Sequence, residues 1–296
     1  MLSAWFDVGL LELTQITWES PAAILEKLIA YEAVHEIRSW DDLKNRLDSD
    51  RRCFAYFHPA MPHEPLIFVE VALVPEMAAN VHDILDADAP MGDVSAATTA
   101  IFYSISNAQK GLVGISFGNF LIKRVVELLK HDVPNLKKFA TLSPIPGFGK
   151  WSTLTLDENA FELTNTERKT LAQLVEGKTD GELLKSALGR TNWFKDEQLS
   201  TALKTPVSRM AAHYLHGERR PDGKAKDPVA HFHLSNGARM ERLNWLGDTS
   251  KKGLAQAHGM MINYLYRVSD IEGNSDAYSS SGKIAVSSSV KPLLRD

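Results

Sequence analysis

The sequence predicts an α/β fold, because apolar segments with strand character alternate with amphipathic helical segments along the chain. A strand over 100–106, a helix over 115–130 and a strand over 138–142 follow one another. Within 115–130 the apolar residues recur at helical spacing on one face, and most charges lie off that face. At 296 residues the chain is also long enough to bury a sizeable core without disulfide support.

Local signals predict the other N-terminal elements in order. Ser20 and Pro21 precede a helix over 22–33, with proline in its first turn, and Ser39 is the expected cap of a helix over 40–47.

Two β-rich runs over 53–57 and 66–73 are expected to be strands. The segment 58–65 between them contains three prolines and is expected to be a loop, because proline donates no hydrogen bond to a sheet ladder. In the C-terminal half we expect, in order, three or four charged helices over 157–215, strands over 229–234 and 242–246, and a helix over 252–267.

Composition restricts the class of protein. With 33 basic and 37 acidic residues the net charge is −4, which excludes nucleic-acid binding driven by a global positive charge. The single cysteine, Cys53, cannot form an internal disulfide, and no run reaches the ~18–20 apolar residues of a membrane span. The N-terminus lacks a basic secretory leader, so a cytoplasmic protein is expected.

A glycine-rich segment over 109–119 lies between the strand at 100–106 and the following helix. Glycines let backbone N–H groups approach a ligand, and free N–H groups at a helix start favour an anion such as a pyrophosphate. The alternative is a turn that only joins strand to helix. Gly114-Ile-Ser116-Phe-Gly118 also matches the nucleophile elbow of α/β-hydrolases, but residues 107–110 separate it from the strand that this motif requires.

Ser143 follows the apolar strand at 138–142, where α/β sheets place ligand sites. Pro144 excludes a helical conformation for Ser143, and Pro146-Gly147 stiffens and then turns the loop. The segment fits either a rigid site loop or a plain strand exit.

Four histidines, His213, His216, His231 and His233, fall within 21 residues and raise the question of a zinc site. On the predicted strand His231 and His233 would share a face. The usual zinc motifs are absent from the sequence, so one histidine acting as an acid or base near neutrality is favoured.

Taken together, several segments closely resemble malonyl-CoA decarboxylases, enzymes of fatty-acid metabolism. The matching segments are 2–9, 16–18, 51–53, 64–66, 100–106, 118–125, 142–148, 228–234 with 236–238, and 263–266. They occur in the same order over nearly the whole chain, which is more specific than any single motif.

The resemblance implies a catalytic domain with a GNAT-like acyltransferase fold, a twisted mixed sheet that admits acyl-CoA. On this basis 1–296 is one catalytic domain with a helical insertion at about 151–215. The family's N-terminal helical domain is expected to be absent, and a homo-oligomer is expected.

The same resemblance assigns the site. The catalytic serine and histidine fall on Ser143 and His233, and an active-site tyrosine falls on Tyr266. Ser116 stands where animal members have glutamate, and His231 where relatives have asparagine, which weakens a zinc site. The segment that binds the CoA pyrophosphate corresponds to Val113, Gly114, Ile115, Ser116, Phe117, Gly118 and Asn119.

The expected reaction is conversion of malonyl-CoA to acetyl-CoA and CO2 without metal or biotin, because the thioester is itself an electron sink. An acyl-CoA-dependent N-acyltransferase and a non-catalytic acyl-CoA-binding regulator are the alternatives. Neither a nucleic acid nor a membrane is expected as a partner.

Overall fold

The computed structural model describes residues 10–108 and 118–295, with the side chains of 118–121 outside that description. The chain divides into two compact units. The first comprises Met1–Leu142 with Leu265–Val268, and the second comprises Ser143–Tyr264 with Ser269–Asp296.

In chain order the helices and strands are β1 (Glu12–Ile16), α1 (Ala22–Tyr31), α2 (Trp40–Arg46), β2 (Arg51–His58), β3 (Met61–Val74), α3 (Val81–Leu85), β4 (Thr99–Asn107), α4 (Gly118–Asp132), β5 (Lys138–Thr141), β6 (Ser143–Pro144), α5 (Phe148–Asp157), α6 (Asn165–Ala172), α7 (Asp180–Leu188), α8 (Glu197–Gly217), α9 (Pro228–Ser235), β7 (Arg239–Asn244), α10 (Lys251–Ala257), β8 (Met261–Tyr266) and α11 (Ile271–Ser281).

The first unit is built on a mixed sheet with the strand order β1-β2-β3-β4-β5. The first four strands are antiparallel neighbours, whereas β4 and β5 are parallel, with Ala100 opposite Phe139. A parallel pair needs a crossover connection, and α4 lies in that connection. The α/β class and the mixed sheet predicted from the sequence are therefore confirmed.

Helices α1 and α2 contribute buried side chains to an apolar cluster with β2 and β3. Alternate residues of β2 face this cluster, as strand geometry requires. Its members include Ile24, Leu25, Leu28, Leu43, Cys53, Ala55, Phe57 and Phe68. The side chain of Ser39 caps α2 by accepting the N–H of Asp42, as the sequence predicts.

The prediction of a loop over 58–65 is wrong, because β3 begins at Met61. The ladder between β2 and β3 changes register on both sides of Phe57, and Pro65 pairs with Phe57 at this irregularity. Proline is tolerated at such a position because a bulge interrupts the regular ladder of N–H donors.

The second unit contains the helices α5 to α8, and α6, α7 and α8 confirm the prediction of three or four helices over 157–215. That this segment is an insertion stays a prediction. The short strand β6 pairs antiparallel with β8, placing Ser143 opposite Ile262, and β7 also pairs with β8. No helix in 10–108 or 118–295 combines the length and the hydropathy needed to cross a bilayer.

Two predictions in this unit are wrong. Residues 229–234, predicted as a strand, lie in α9, because Asp227 caps a helix that has Pro228 in its first turn. The predicted helix over 252–267 is α10 followed by β8. The left-handed conformations of His258 and Gly259 end α10 and turn the chain into the strand. The predicted strand at 242–246 is β7, displaced towards the N-terminus.

Candidate active site

Ser143 is the first residue of β6 and is separated from the end of β5 by Leu142 alone, and its side chain is almost completely buried. Its backbone is fixed by pairing with Ile262 and by Pro144, which keeps Ser143 out of the helical region. The structure therefore holds this hydroxyl on a stiff strand exit rather than on a mobile loop.

His233 lies near the end of α9, so helical spacing determines which residues of that segment lie on the same face as His233. Residues two apart on a helix point in nearly opposite directions, so the prediction that His231 and His233 share a face is wrong. His231 instead lies with its Nδ1 2.9 Å from the hydroxyl oxygen of Tyr278.

The structure brings Ser143 and His233 together, although 90 positions separate them in the chain. The Oγ of Ser143 lies 3.1 Å from Nε2 of His233, which is hydrogen-bonding distance. His233 is 3% exposed, and this burial lowers its pKa to about 3. The imidazole is therefore neutral near pH 7 and can either accept or donate a proton at Nε2.

Tyr264 of β8 stacks on the imidazole of His233, with ring centroids 4.8 Å apart and planes inclined at 27°. Phe232 meets the same imidazole edge-on. These two rings hold His233 in place and exclude water from it. Tyr264 is not among the site residues predicted from the sequence, although its position two residues before Tyr266, inside the same matching segment, is a usable signal.

Tyr266 is in the first unit, at the end of β8 and opposite Phe139 of β5. Its side chain is buried, which raises the pKa of its hydroxyl well above the usual value. The Ser143–His233 pair belongs to the second unit, and a catalytic role for Tyr266 stays a prediction.

The segment predicted to bind pyrophosphate lies almost wholly outside the described residues. Val113, Gly114, Ile115, Ser116 and Phe117 are not described, and for Gly118 and Asn119 the structure gives only the backbone, at the start of α4. Pyrophosphate binding there stays a prediction, and so does the alternative of a hydrolase nucleophile at Ser116.

A second serine–histidine contact was not expected from the sequence. The Oγ of Ser152 on α5 lies 2.8 Å from Nε2 of His258 and 2.9 Å from the backbone oxygen of Gly149. Because a carbonyl oxygen only accepts, the Ser152 hydroxyl donates to Gly149, and His258 must then donate to Ser152. This histidine holds its proton towards serine, so it cannot serve as a base for Ser152.

A zinc site formed by the four histidines finds no support in the geometry. Within 10–108 and 118–295 no three His, Cys, Asp or Glu side chains are grouped so that they could hold a metal ion. His231 and His233 are occupied by different partners on opposite sides of α9.

The comparisons with known proteins point to one family. The family model of the malonyl-CoA decarboxylase C-terminal domain matches residues 9–296. The chain is 45% identical over 298 residues to the mitochondrial malonyl-CoA decarboxylase of Anser anser anser, covering 98% of this chain and 59% of the relative. It is 41% identical over 302 residues to the mitochondrial enzyme of Rattus norvegicus, covering 99% and 61%. The chain thus spans about 60% of the length of these curated relatives.

Solved structures agree with this result. The crystal structure of malonyl-CoA decarboxylase from Agrobacterium vitis superimposes with a TM-score of 0.89 at 48% identity, covering 99% of this chain and 69% of that one. The structure from Cupriavidus metallidurans gives a TM-score of 0.82 at 49% identity, covering 99% and 70%.

Proposed function

Because the chain belongs to the malonyl-CoA decarboxylase family, we propose that it converts malonyl-CoA to acetyl-CoA and CO2 at Ser143 and His233. The observation that carries this proposal is the buried contact of 3.1 Å between the Ser143 hydroxyl and the His233 imidazole. Both residues lie in segments through which the resemblance to the family runs.

The reaction needs a group that stabilises negative charge and a group that protonates carbon. When CO2 leaves malonyl-CoA, the electron pair of the broken C–C bond moves into the thioester and forms an enolate. A hydrogen-bond donor directed at such an oxyanion in a water-excluded site contributes about 3–4 kcal/mol to transition-state stabilisation. The burial of Ser143 and His233 supplies a water-poor environment of this kind.

The proton balance follows from the neutral state of His233. Malonyl-CoA brings a carboxylate, and a nearby anion raises the pKa of an imidazole, so His233 takes up one proton from solvent as substrate binds. After CO2 leaves, this proton passes to the enolate carbon, with the Ser143 hydroxyl orienting the enolate and relaying the proton. His233 returns to its neutral form, which its buried site favours. Each turnover consumes one proton and releases one CO2.

The remaining parts of the proposal concern binding and assembly. The CoA pyrophosphate is assigned to 113–119, and Tyr266 is assigned as a donor to the carboxylate or thioester. The reaction as proposed uses no metal ion and no biotin. We retain a homo-oligomer and a cytoplasmic location as expectations, while the goose and rat relatives are named mitochondrial.

The product formed from malonyl-CoA tests the proposal. Purified protein with malonyl-CoA alone is expected to yield acetyl-CoA, identified by mass, and the His233→Gln variant should lose at least ~100-fold in kcat, since a positioned acid or base contributes about 10²–10⁴-fold. An acyl-amine product that appears only with an added amine would indicate the N-acyltransferase. Malonyl-CoA that binds and is recovered unchanged would indicate the regulator, and either result would refute the decarboxylase.

A further inference from the structure

We propose that Asp227 is a positioning residue that sets the distance between Ser143 and His233. This inference rests on the proposed function. The carboxylate of Asp227 makes hydrogen bonds to the two segments that carry the pair, so one side chain ties them together.

One carboxylate oxygen holds the helix of His233. Oδ1 of Asp227 accepts the N–H of Val229 at 3.0 Å and of Ala230 at 2.9 Å, which caps the first turn of α9. Ala230 lies three residues, about one helical turn, before His233. Because α9 has only eight residues, a shift of its first turn is transmitted to the imidazole.

The other carboxylate oxygen holds the segment of Ser143. Oδ2 of Asp227 lies 3.4 Å from the backbone nitrogen of Gly147, which donates to it, and 3.4 Å from the donating hydroxyl of Tyr214. Gly147 is four residues after Ser143, and two of the three residues between them are prolines with fixed φ. This short, stiff connection transmits the position of Gly147 to the serine.

The environment of Asp227 fits a positioning role better than simple helix capping. Asp227 is 1% exposed, and burial raises the pKa of its carboxyl, so placing a carboxylate here is unfavourable. Asparagine caps helices about as well as aspartate. An asparagine, however, presents an oxygen to only one side, whereas the N–H of Gly147 and the N–H groups of α9 require acceptors on both.

The backbone of Gly147 packs closely against the side chains of Tyr214 and Asp227. A Cβ added to Gly147 would lie 2.0 Å from the hydroxyl oxygen of Tyr214 and 3.6 Å from Oδ2 of Asp227. The φ of Gly147 is −88°, which any residue adopts, so only space requires glycine here. The loop is therefore packed directly against the side chains that bind it.

The Asp227→Asn variant tests the proposal because it separates the two roles. Its Oδ1 still caps α9, while its amide group faces the N–H of Gly147 and repels it. We expect kcat for acetyl-CoA formation to fall at least ~10-fold, since a displacement of about 1 Å at a reacting group is worth up to ~10²-fold. KM for malonyl-CoA should change by less than about threefold, because the groups assigned to CoA are untouched. Asp227→Ser, which also caps but is too short to reach Gly147, should show the same loss.

A spectroscopic measurement reads the geometry independently of turnover. In protein labelled with ¹⁵N-histidine, the Nε2 resonance of His233, assigned by its loss in His233→Gln, should shift in Asp227→Asn. Asp180→Asn is the matched control, because Asp180 is also a buried aspartate that accepts a loop N–H, from Leu163, at the start of a helix. This variant should leave kcat and the His233 resonance unchanged.

The outcomes separate this inference from the proposed function. If the wild-type protein releases no acetyl-CoA, the proposed function fails, and the resonance of His233 still reports whether Asp227 sets the geometry. If the wild-type protein is active and both Asp227 variants retain full kcat and an unshifted His233 resonance, Asp227 is only a helix cap and the inference is wrong.

Discussion

Replacing Gly147 with alanine should misplace Ser143 without removing any group that takes part in the chemistry. The new Cβ would lie 2.0 Å from the hydroxyl oxygen and 3.1 Å from Cζ of Tyr214. A normal contact between carbon and oxygen is more than 1 Å longer than the first distance, so the loop or the ring must move by about that amount. Overpacking of this kind costs about 1–3 kcal/mol of stability, and a 1 Å displacement at a reacting group lowers kcat up to ~100-fold.

The assay is acetyl-CoA release, measured together with thermal unfolding of the same preparations. Gly217→Ala is the matched control, because a Cβ at Gly217 meets no atom within 4 Å. We expect this control to retain its activity and to change stability by at most about 0.5 kcal/mol.

The partner residue offers a rescue. Tyr214→Phe removes the oxygen that the alanine Cβ would strike, so Gly147→Ala combined with Tyr214→Phe should recover part of the lost kcat. A Gly147→Ala protein with wild-type kcat and stability would refute the argument, and so would a double variant no better than the single one, since coupled sites are expected to be non-additive.

The other predictions concern pH. The pKa of His233 is about 3 in the folded protein and 6.5 when unperturbed, so the unfolded chain binds more protons, and stability present above pH 6.5 is lost as pH falls towards 3. In denaturant unfolding, His233→Gln should reduce the change of the unfolding free energy with pH by up to about 1.4 kcal/mol per pH unit. An unchanged dependence on pH would contradict a buried, neutral His233. Burial raises the pKa of Glu70 from 4.5 to about 8, although Nη1 of Arg46 lies 3.1 Å from its Oε2. The stability that Glu70 contributes below pH 4.5 is therefore lost as the pH rises through 8. Glu70→Gln should flatten that decline, and unfolding curves at pH 5 and 8 measure it. Above pH 8, where Glu70 is ionised, Arg46→Met should destabilise the protein by about 3–5 kcal/mol, because it leaves a buried carboxylate without its charged partner. The loss should be smaller at pH 5, where Glu70 is protonated, and a loss below about 1 kcal/mol above pH 8 would show that the pair contributes little.

Local sequence signals were sufficient where one short segment determines its own structure. The cap at Ser39 and the buried face of α4 depend on neighbouring residues, and both are found in the structure: Val125 and Leu129 are fully buried. The prediction of a strand at 229–234 was wrong because it rested on the apolar and aromatic residues of that segment. Asp227 and Pro228, just before it, are a signal for the start of a helix.

Local sequence patterns predicted less of the site than of the helices and strands. Ser143 and His233 are 90 positions apart, and their pairing came from the family resemblance and not from spacing. Tyr264 and Asp227 were not predicted as site residues, and Gly147 was predicted only to turn the loop, because stacking on an imidazole or bridging two segments depends on tertiary contacts. Asp227 had a usable local signal as a helix cap, but its bond to Gly147 had none.

The most direct test of the central claim compares two serines that each contact a histidine. Ser143→Ala removes the hydroxyl whose Oγ lies 3.1 Å from Nε2 of His233. Ser152→Ala removes a hydroxyl whose Oγ lies 2.8 Å from Nε2 of His258 and accepts a hydrogen bond from that histidine. With malonyl-CoA as substrate, Ser143→Ala is expected to lose at least ~100-fold in kcat while remaining folded. Ser152→Ala is expected to lose some stability and keep its turnover. Wild-type turnover in Ser143→Ala, or an equal loss in both variants, would contradict the assignment of the chemistry to Ser143 and His233.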